Sequence, residues 1–313
     1  MLNGVQKGYI GGMQRKLPGD FGLTSRMFLT MFLLAVVYLI FIGVLLKVGV
    51  SIVLIIPVAV ILLGLQYYYS DKLILLSIGA REVSEQEAPQ LHQIVARLAQ
   101  MTGIPKPKVA LIDTPVPNAL ATGRDPNHAL VAATTGILQQ LNEPELEAVI
   151  AHELSHVIHR DMRVMAMASF FATIASFIVQ MGLWGGFYGG GYGGDRDRRD
   201  SGNAFIFIFL VSAAVWAISF VLIRTLSRYR EYAADRGSAI ITQQPSNLAS
   251  ALIKISGTIQ RIPDRDLRQV EAANSLMLAS VAHEGSISEI FSTHPSLEHR
   301  LARLKAMEAE LSR

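Results

Sequence analysis

The chain has 313 residues and a formal net charge of +3, and 51% of its residues are hydrophobic. Together with a mean hydropathy of +0.36, this composition is unusual for a soluble protein and indicates a membrane protein. The absence of cysteine excludes disulfides and thiolate metal ligands, and no basic patch interleaved with aromatic residues indicates a nucleic-acid partner.

The first part of the chain predicts a tail followed by a membrane hairpin. Residues 1–26 are rich in glycine and predict a flexible cytosolic tail. Residues 28–46 and 48–69 are apolar segments that each reach the length of about 20 residues needed to cross a bilayer. They predict a transmembrane hairpin over residues 27–70, although packing against the protein is an alternative for the second segment, which contains Pro57.

Residues 71–163 predict the first part of a catalytic domain. Helical periodicity indicates a helix over residues 87–101, and short buried strands are predicted at residues 108–112 and 129–133. Between these strands, residues 118–122 indicate an edge strand, and the alternative is a loop bounded by Pro115, Pro117 and Gly123. An exposed edge can bind an extended peptide through main-chain hydrogen bonds. The predicted substrate-binding residues are therefore Asn118, Ala119, Leu120 and Ala121.

A His-Glu-Leu-Ser-His motif at residues 152–156 is the most informative feature. Asn142 predicts the N-cap of a helix that carries the motif in its interior. His152 and His156, four residues apart, then share one helical face and can bind one metal ion, while Glu153 can reach a metal-bound water as general base. The motif predicts a zinc hydrolase. The alternative is an ordinary helix with two unrelated histidines.

Residues 164–223 predict a second hydrophobic hairpin. Its apolar segments are residues 164–184 and 204–223, joined by a glycine-rich external loop that lacks the Lys-Ser/Thr of a phosphate-binding loop. Ser169 and Ser176 make the first of these segments only moderately apolar, so packing against the protein is an alternative for it too. The chain would then have two transmembrane helices and two buried ones.

Residues 224–313 predict the second part of the catalytic domain. Glu231 and Asp235 share a helical face at the i, i+4 spacing. A catalytic zinc ion takes three protein ligands and a water, and one of these carboxylates can be the third ligand while the other accepts a hydrogen bond from a liganding histidine. The alternative is a solvated helix with salt bridges to neighbouring arginines.

On these motifs the chain resembles the HtpX-type integral-membrane zinc metalloproteases, which are gluzincins related to the CAAX prenyl proteases. Residues 117–123 match as well, and so do residues 293–296 followed by Arg300. The resemblance implies a mainly α, multi-pass membrane protein with a helix-rich gluzincin catalytic domain and a small β-sheet. Two features depart from the family. Leu120 stands where phenylalanine is usual, which puts the local substrate pocket in doubt, and the first 25 or so residues extend beyond the usual start.

The resemblance also implies roles for single residues. It makes Glu153 the general base and acid, Asp235 the partner of a liganding histidine, and His294 a donor near the scissile carbonyl. Arg300 either positions His294 or the substrate, or is a surface residue of a helix over residues 297–307. The implied ligands of one Zn²⁺ per subunit are His152, His156 and Glu231.

Basic residues flank the predicted segments on one common side, which predicts cytoplasmic termini and a cytoplasmic catalytic domain in the cell membrane. His156 precedes the third segment by about eight residues, which would put the metal about 12 Å from the hydrocarbon if the helix continued unbroken. That proximity favours membrane-protein substrates, and the resemblance implies quality control of misfolded membrane proteins. The rival hypothesis is a zinc-binding membrane scaffold or transporter without protease activity.

Overall fold

The computed structural model describes residues 20–47, 57, 61, 64, 79–123, 125–188, 197–259, 261 and 295–312. Several predictions concern residues outside these ranges. They are the tail up to residue 19, most of the segment 48–69, part of the glycine-rich loop, and His294.

Helices dominate the described residues, and one small sheet accompanies them. The elements in chain order are α1 (Phe21–Lys47), β1 (Arg81–Glu82), α2 (Pro89–Thr102), β2 (Lys108–Ile112), β3 (Ala119–Thr122), β4 (Leu130–Thr134), α3 (Thr135–Gln140), α4 (Glu143–Ile158), α5 (Asp161–Tyr188), α6 (Asp197–Thr242), α7 (Pro245–Ile259) and α8 (Leu297–Leu311). The predicted fold class, mainly α with a small β-sheet, is confirmed.

Among the described residues, three helices are long and apolar enough to cross a membrane: α1, α5 and α6. The first, third and fourth predicted segments each lie within one of them. In α5 only 18% of the most apolar window is buried, which favours a span over a protein-packed third segment. The three helices pack on one another through a cluster that includes Leu34, Phe41, Ala168 and Val215.

Two boundaries of the membrane part differ from the prediction. Helix α1 begins at Phe21, with the Asp20 carboxylate accepting from the backbone N–H of Leu23 at 2.9 Å, so the last residues of the predicted tail are helical. The zinc-motif helix α4 ends at Ile158, and Arg160 adopts a left-handed conformation with φ of 56° before α5 begins. The condition of an unbroken helix is not met, so the distance of about 12 Å from metal to hydrocarbon that depended on it does not apply.

The sheet has four strands in the order β1-β2-β4-β3. Strand β2 runs parallel to β4, and β3 pairs with β4 antiparallel, with Ala121 opposite Val131. Both predicted inner strands are confirmed within one residue, and the segment at residues 118–122 contains an edge strand rather than a loop. One long side of β3 is therefore left without a neighbouring strand in the described sheet.

Helix α4 lies at the centre of the catalytic part. Its apolar residues Leu146, Ile150 and Leu154 are at most 1% exposed and pack in one cluster with α2, β4 and α7. Helix α6 crosses it, and Ser238 on α6 donates a hydrogen bond to the Ala148 carbonyl at 2.7 Å. Because α6 also runs through the membrane part, one helix of 46 residues connects the two parts.

Candidate active site

Local sequence fixes the position of the zinc-motif helix. Asn142 accepts from the backbone N–H of Glu145 at 3.0 Å, and the Glu145 carboxylate accepts from the N–H of Asn142 at 3.1 Å, which forms a capping box. Pro144 occupies the first turn, where its missing N–H is tolerated. The predicted N-cap is confirmed, and the buried apolar face of α4 leaves His152, Glu153 and His156 on the side that faces α6 and β3.

Three predicted ligands meet at one point. Nε2 of His152 lies 3.5 Å from Oε2 of Glu231, and Nε2 of His156 lies 3.6 Å from Oε1 of Glu231. One ligand atom from each residue can be chosen so that all three lie within 4.8 Å of one another. Atoms bound tetrahedrally at about 2.1 Å from an ion lie about 3.4 Å from one another. The three side chains therefore fit a single metal ion.

The other ring nitrogen of His152 faces Asp235, as predicted for a partner of a liganding histidine. Nδ1 of His152 lies 3.0 Å from Oδ1 of Asp235, which is fully buried. Burial alone would lower the pKa of His152, but hydrogen bonding to Asp235 and Glu231 outweighs it and raises the pKa to about 9 in the metal-free protein. When the ring is neutral, as a metal ligand must be, the contact with Asp235 favours the proton on Nδ1 and leaves Nε2 to face the metal position.

Arg300 is part of this arrangement. It is 2% exposed and donates to Asp235 through Nε at 3.0 Å and Nη2 at 2.6 Å, while its Nη1 lies 3.7 Å from Oε2 of Glu231. The interpretation of Arg300 as a surface residue is wrong. Its guanidinium holds two carboxylates of the site at once, in a bidentate geometry with Asp235.

His156 has a second aspartate behind it that the sequence did not indicate. Nδ1 of His156 lies 2.7 Å from Oδ2 of Asp161, and the same oxygen lies 2.6 Å from Nη2 of Arg230. Asp161 is the first residue of α5 and follows the helix break at Arg160. It stands five residues after His156, beyond the end of α4, so helical spacing could not place it beside the ring.

Glu153 lies between the two histidines and the edge strand. It is 7% exposed, and burial raises its pKa. The backbone N–H of Ala121 donates to Oε2 of Glu153 at 2.9 Å. Since backbone groups alternate in direction along an antiparallel strand, Ala119 points the same way as Ala121, toward the unpaired side. The free edge of β3 therefore runs directly beside the carboxylate.

The other predicted residues of the edge have different surroundings. Asn118 is buried and exchanges hydrogen bonds with Thr134, its N–H donating to Oγ1 and its carbonyl accepting from the Thr134 N–H, both at 2.9 Å. Leu120 packs with Ala110, Ile112, Leu130 and Ala132. Among the described residues that cluster contains none from α4, so the departure from phenylalanine at Leu120 lies on the sheet face away from the metal position. His294 lies outside the described residues.

Comparison with known proteins gives consistent matches. Residues 85–308 match peptidase family M48. A protein named Protease HtpX homolog from Moorella thermoacetica is 56% identical over 300 residues, which cover 96% of this chain and 99% of that protein. Protease HtpX homolog 2 from Methanosarcina acetivorans is 55% identical over 300 residues, covering 96% and 100%.

A solved structure also resembles the fold. The crystal structure of S. mikatae Ste24p aligns with a TM-score of 0.51 over 90% of this chain and 66% of that chain, at 17% sequence identity. At that identity the likeness concerns the fold alone.

Proposed function

The chain belongs to peptidase family M48 and is a membrane metalloprotease, and from this premise we propose that its metal is a single Zn²⁺ held by His152, His156 and Glu231. The observation that carries the proposal is the convergence of two imidazoles and one carboxylate within 4.8 Å. Two histidines and a glutamate are a common ligand set of catalytic zinc, which keeps a fourth position open. When bound there, zinc supplies a Lewis acid that polarises the peptide carbonyl and makes water more acidic.

Glu153 carries the proton in this proposal. A carboxylate at this position accepts a proton from the attacking water and delivers it to the leaving amine. Burial supports the role, because it raises the pKa of Glu153 and so brings the carboxyl closer to the range in which it can both accept and release a proton. The N–H of Ala121 orients one carboxylate oxygen at 2.9 Å and leaves the other available.

Substrate binds, in our proposal, as an added strand along the free edge of β3. The outward-facing backbone groups of Ala119 and the carbonyl of Ala121 pair with the peptide main chain, while the Ala121 N–H stays on Glu153. Asn118 fixes the start of the edge through Thr134. Because the N–H of Ala121 also touches Glu153, a peptide on this edge passes the general base. Main-chain pairing of this kind reads little of the side-chain sequence and suits unfolded substrates.

Supporting roles follow for three further residues. Asp235 holds the tautomer and orientation of His152, and Arg300 holds Asp235 while compensating its charge. The role of His294 as a donor to the oxyanion stays a prediction. In the sequence it stands three residues before α8 and six before Arg300.

We propose that the substrates are misfolded membrane proteins and that the enzyme works on the cytoplasmic side of the cell membrane in their quality control. The support is the course of α6, which carries Glu231 and Asp235 and continues into an apolar span. A catalytic site on such a helix lies beside the bilayer. The basic residues flanking the predicted segments support the cytoplasmic side.

The test compares wild type, Glu153→Gln and Glu147→Gln as full-length proteins in detergent, each stripped of metal and titrated with zinc. Glu147 is the matched control. It lies on the same helix, but its carboxylate pairs with Arg97 at an N–O distance of 2.8 Å rather than with a residue of the site. We expect Glu153→Gln to bind zinc normally and to cleave an unfolded model protein about 10³-fold more slowly, and Glu147→Gln to resemble wild type.

Other outcomes point elsewhere. Equal cleavage by Glu153→Gln would show that the carboxylate is not the base, and tight zinc binding without cleavage by any variant would favour a scaffold or transporter. For substrate choice, a membrane protein and a soluble unfolded protein are offered together. Equal rates for both would show that the position beside the bilayer does not select substrates.

A further inference from the structure

Asp161 stands where the catalytic part meets the membrane helices. Helix α4 ends at Ile158, the helix breaks at Arg160, and α5 starts at Asp161 and leads into a candidate span. The left-handed conformation of Arg160 is unusual for a residue with a side chain. It brings the Asp161 side chain back under the last turn of α4, so that a residue of a membrane helix touches a predicted metal ligand.

One carboxylate oxygen joins two groups. Oδ2 of Asp161 lies 2.7 Å from Nδ1 of His156 and 2.6 Å from Nη2 of Arg230, and Nη1 of Arg230 donates to the Asp161 main-chain carbonyl. Asp161 and Arg230 are 4% and 6% exposed. The guanidinium of Arg230 therefore contacts both the side chain and the main chain of Asp161. Arg230 also immediately precedes Glu231 on α6.

We propose that Asp161 is a positioning residue for His156, and that Arg230 acts through it. The proposal depends on the proposed function, because it takes His156 to bind the metal through Nε2. A carboxylate at Nδ1 keeps the proton on that nitrogen, fixes the plane of the ring and leaves the Nε2 lone pair directed at the metal. Arg230 holds the carboxylate in place through its contacts to Oδ2 and to the main-chain carbonyl of Asp161.

The same contacts also allow a purely structural role, in which the pair only fastens α5 to α6. The two roles differ in what a variant changes. A fastener supports the fold alone, so its loss lowers the stability of the metal-free protein and leaves the zinc affinity of the folded protein unchanged. A positioning residue alters the zinc affinity and the ligand geometry of protein that remains folded.

The experiment uses full-length, metal-stripped protein in detergent. The variants are wild type, Asp161→Asn, Arg230→Met and the double variant, with Asp113→Asn and Arg163→Met as controls. Asp113 is exposed and contacts Thr135, and Arg163 pairs with Asp125 at 3.5 Å, so each control removes a charge whose observed partner is not His156. Zinc affinity is measured against a competing chelator, ligand geometry by the visible spectrum of the Co²⁺ form, and stability by thermal unfolding without metal.

We expect Asp161→Asn to weaken zinc binding by about 10- to 100-fold and to change the Co²⁺ spectrum. Arg230→Met should weaken binding by about tenfold, and the double variant should equal Asp161→Asn, because the arginine acts through the aspartate. Both controls should bind zinc as wild type does.

Three results would overturn the inference or its premise, and they are distinguishable. Failure of wild type to bind zinc at all would remove the proposed function. Normal zinc affinity in a folded but less stable Asp161→Asn would leave only the fastener. Independent, additive losses in the double variant would show that Arg230 does not act through Asp161. If Asp161→Asn does not fold, Asp161→Glu keeps the charge for Arg230 and displaces the oxygen from Nδ1. Unchanged affinity in that variant would also overturn the inference.

Discussion

His152 and His156 are each held by an aspartate that is paired with an arginine, but the two arrangements come from different parts of the molecule. Asp235 and Arg300, behind His152, belong to α6 and to α8, and both are almost completely buried. Behind His156, Asp161 is the first residue of α5 and Arg230 lies on α6, and both helices enter the membrane part. The site therefore depends on the packing of the carboxyl-terminal helix on one side and of the membrane helices on the other.

The two histidines also differ in how much of each side chain is exposed to solvent. The side chain of His152 is 1% exposed, whereas that of His156 is 18% exposed. Charges that are fully buried cannot be rescued by water when a partner is removed. The side chains of Arg300 and Asp235 are 2% and 0% exposed, and those of Arg230 and Asp161 are 7% and 6% exposed. We therefore expect changes behind His152 to lower the free energy of unfolding more than changes behind His156 do.

The largest expected effect is that of Arg300→Met. The substitution keeps much of the volume but leaves the Asp235 carboxylate buried without its cation, which should lower the free energy of unfolding by about 3 to 5 kcal/mol. Denaturant unfolding of the metal-free protein in detergent measures it. Arg303→Met is the control one turn along the same helix. Its partially exposed pair with Asp20 should contribute less than about 1 kcal/mol, and equal losses in both variants would contradict the comparison.

A smaller effect is expected where α6 crosses α4, because that contact sets the distance from Glu231 to both histidines. A Cβ added at Gly237 would lie 2.2 Å from Oγ and 2.7 Å from Cβ of Ser155. Gly237→Ala should therefore lower the free energy of unfolding by about 3 kcal/mol and weaken zinc binding.

Two further variants test this contact. Adding Ser155→Gly should recover part of the lost free energy, because it removes both atoms that clash. Gly257→Ala is the matched control. Its Cβ would meet nothing within 4 Å, so it should stabilise helix α7 by about 1 kcal/mol. If the losses in free energy of unfolding from Ser155→Gly and Gly237→Ala simply add in the double variant, the contact between these two residues does not set the spacing of α4 and α6.

The smallest of these effects concerns Glu145, which lies on the zinc-motif helix but far from both aspartates. Burial alone would raise the pKa of Glu145, but Lys254, Ser250 and the Asn142 N–H outweigh it and hold the pKa below its usual value of 4.5. Ionised Glu145 therefore stabilises the fold above pH 4.5, and that contribution is lost as the pH falls through the lowered pKa.

Glu145→Gln should lower the free energy of unfolding by about 1.5 kcal/mol at pH 7, with a difference from wild type that shrinks below pH 4.5. Unfolding curves across this pH range measure it. Glu143→Gln serves as control, because its side chain is 54% exposed and lies 3.4 Å from Arg97. A difference that stayed constant down to pH 3 would show that the Glu145 charge is not the stabilising element.

The sequence allowed the parts of the site that follow helical spacing to be predicted. His152 and His156 lie four residues apart, as do Glu231 and Asp235, and such pairs share a face whatever the tertiary structure. Asp161 was missed because the helix breaks at Arg160, and residue spacing across a break does not indicate which residues are in contact. The interpretation of Arg300 stayed open because a charged residue on an amphipathic helix is usually exposed, and only its partner explains its burial.

The sheet shows the same limit. The strands were predictable from short apolar runs bounded by turn residues, but their order was not, because pairing between distant strands depends on the packing of the helices around them. The side-chain direction of Leu120 follows from that order. Once β3 is placed at the edge with Ala121 facing Glu153, the alternation of the strand turns Leu120 to the other sheet face.

Helix α8 follows every other described element in the chain, and this has a consequence for the order of synthesis. While the ribosome is still making the polypeptide, Asp235 has no guanidinium beside it, because Arg300 has not yet been translated. The histidine ligands can already be made and the apolar helices inserted, yet the nascent enzyme holds an unpaired carboxylate next to His152. We expect proteolytic activity to begin only after α8 has emerged from the ribosome and packed against α6. An incompletely synthesised enzyme would then not cleave other growing chains.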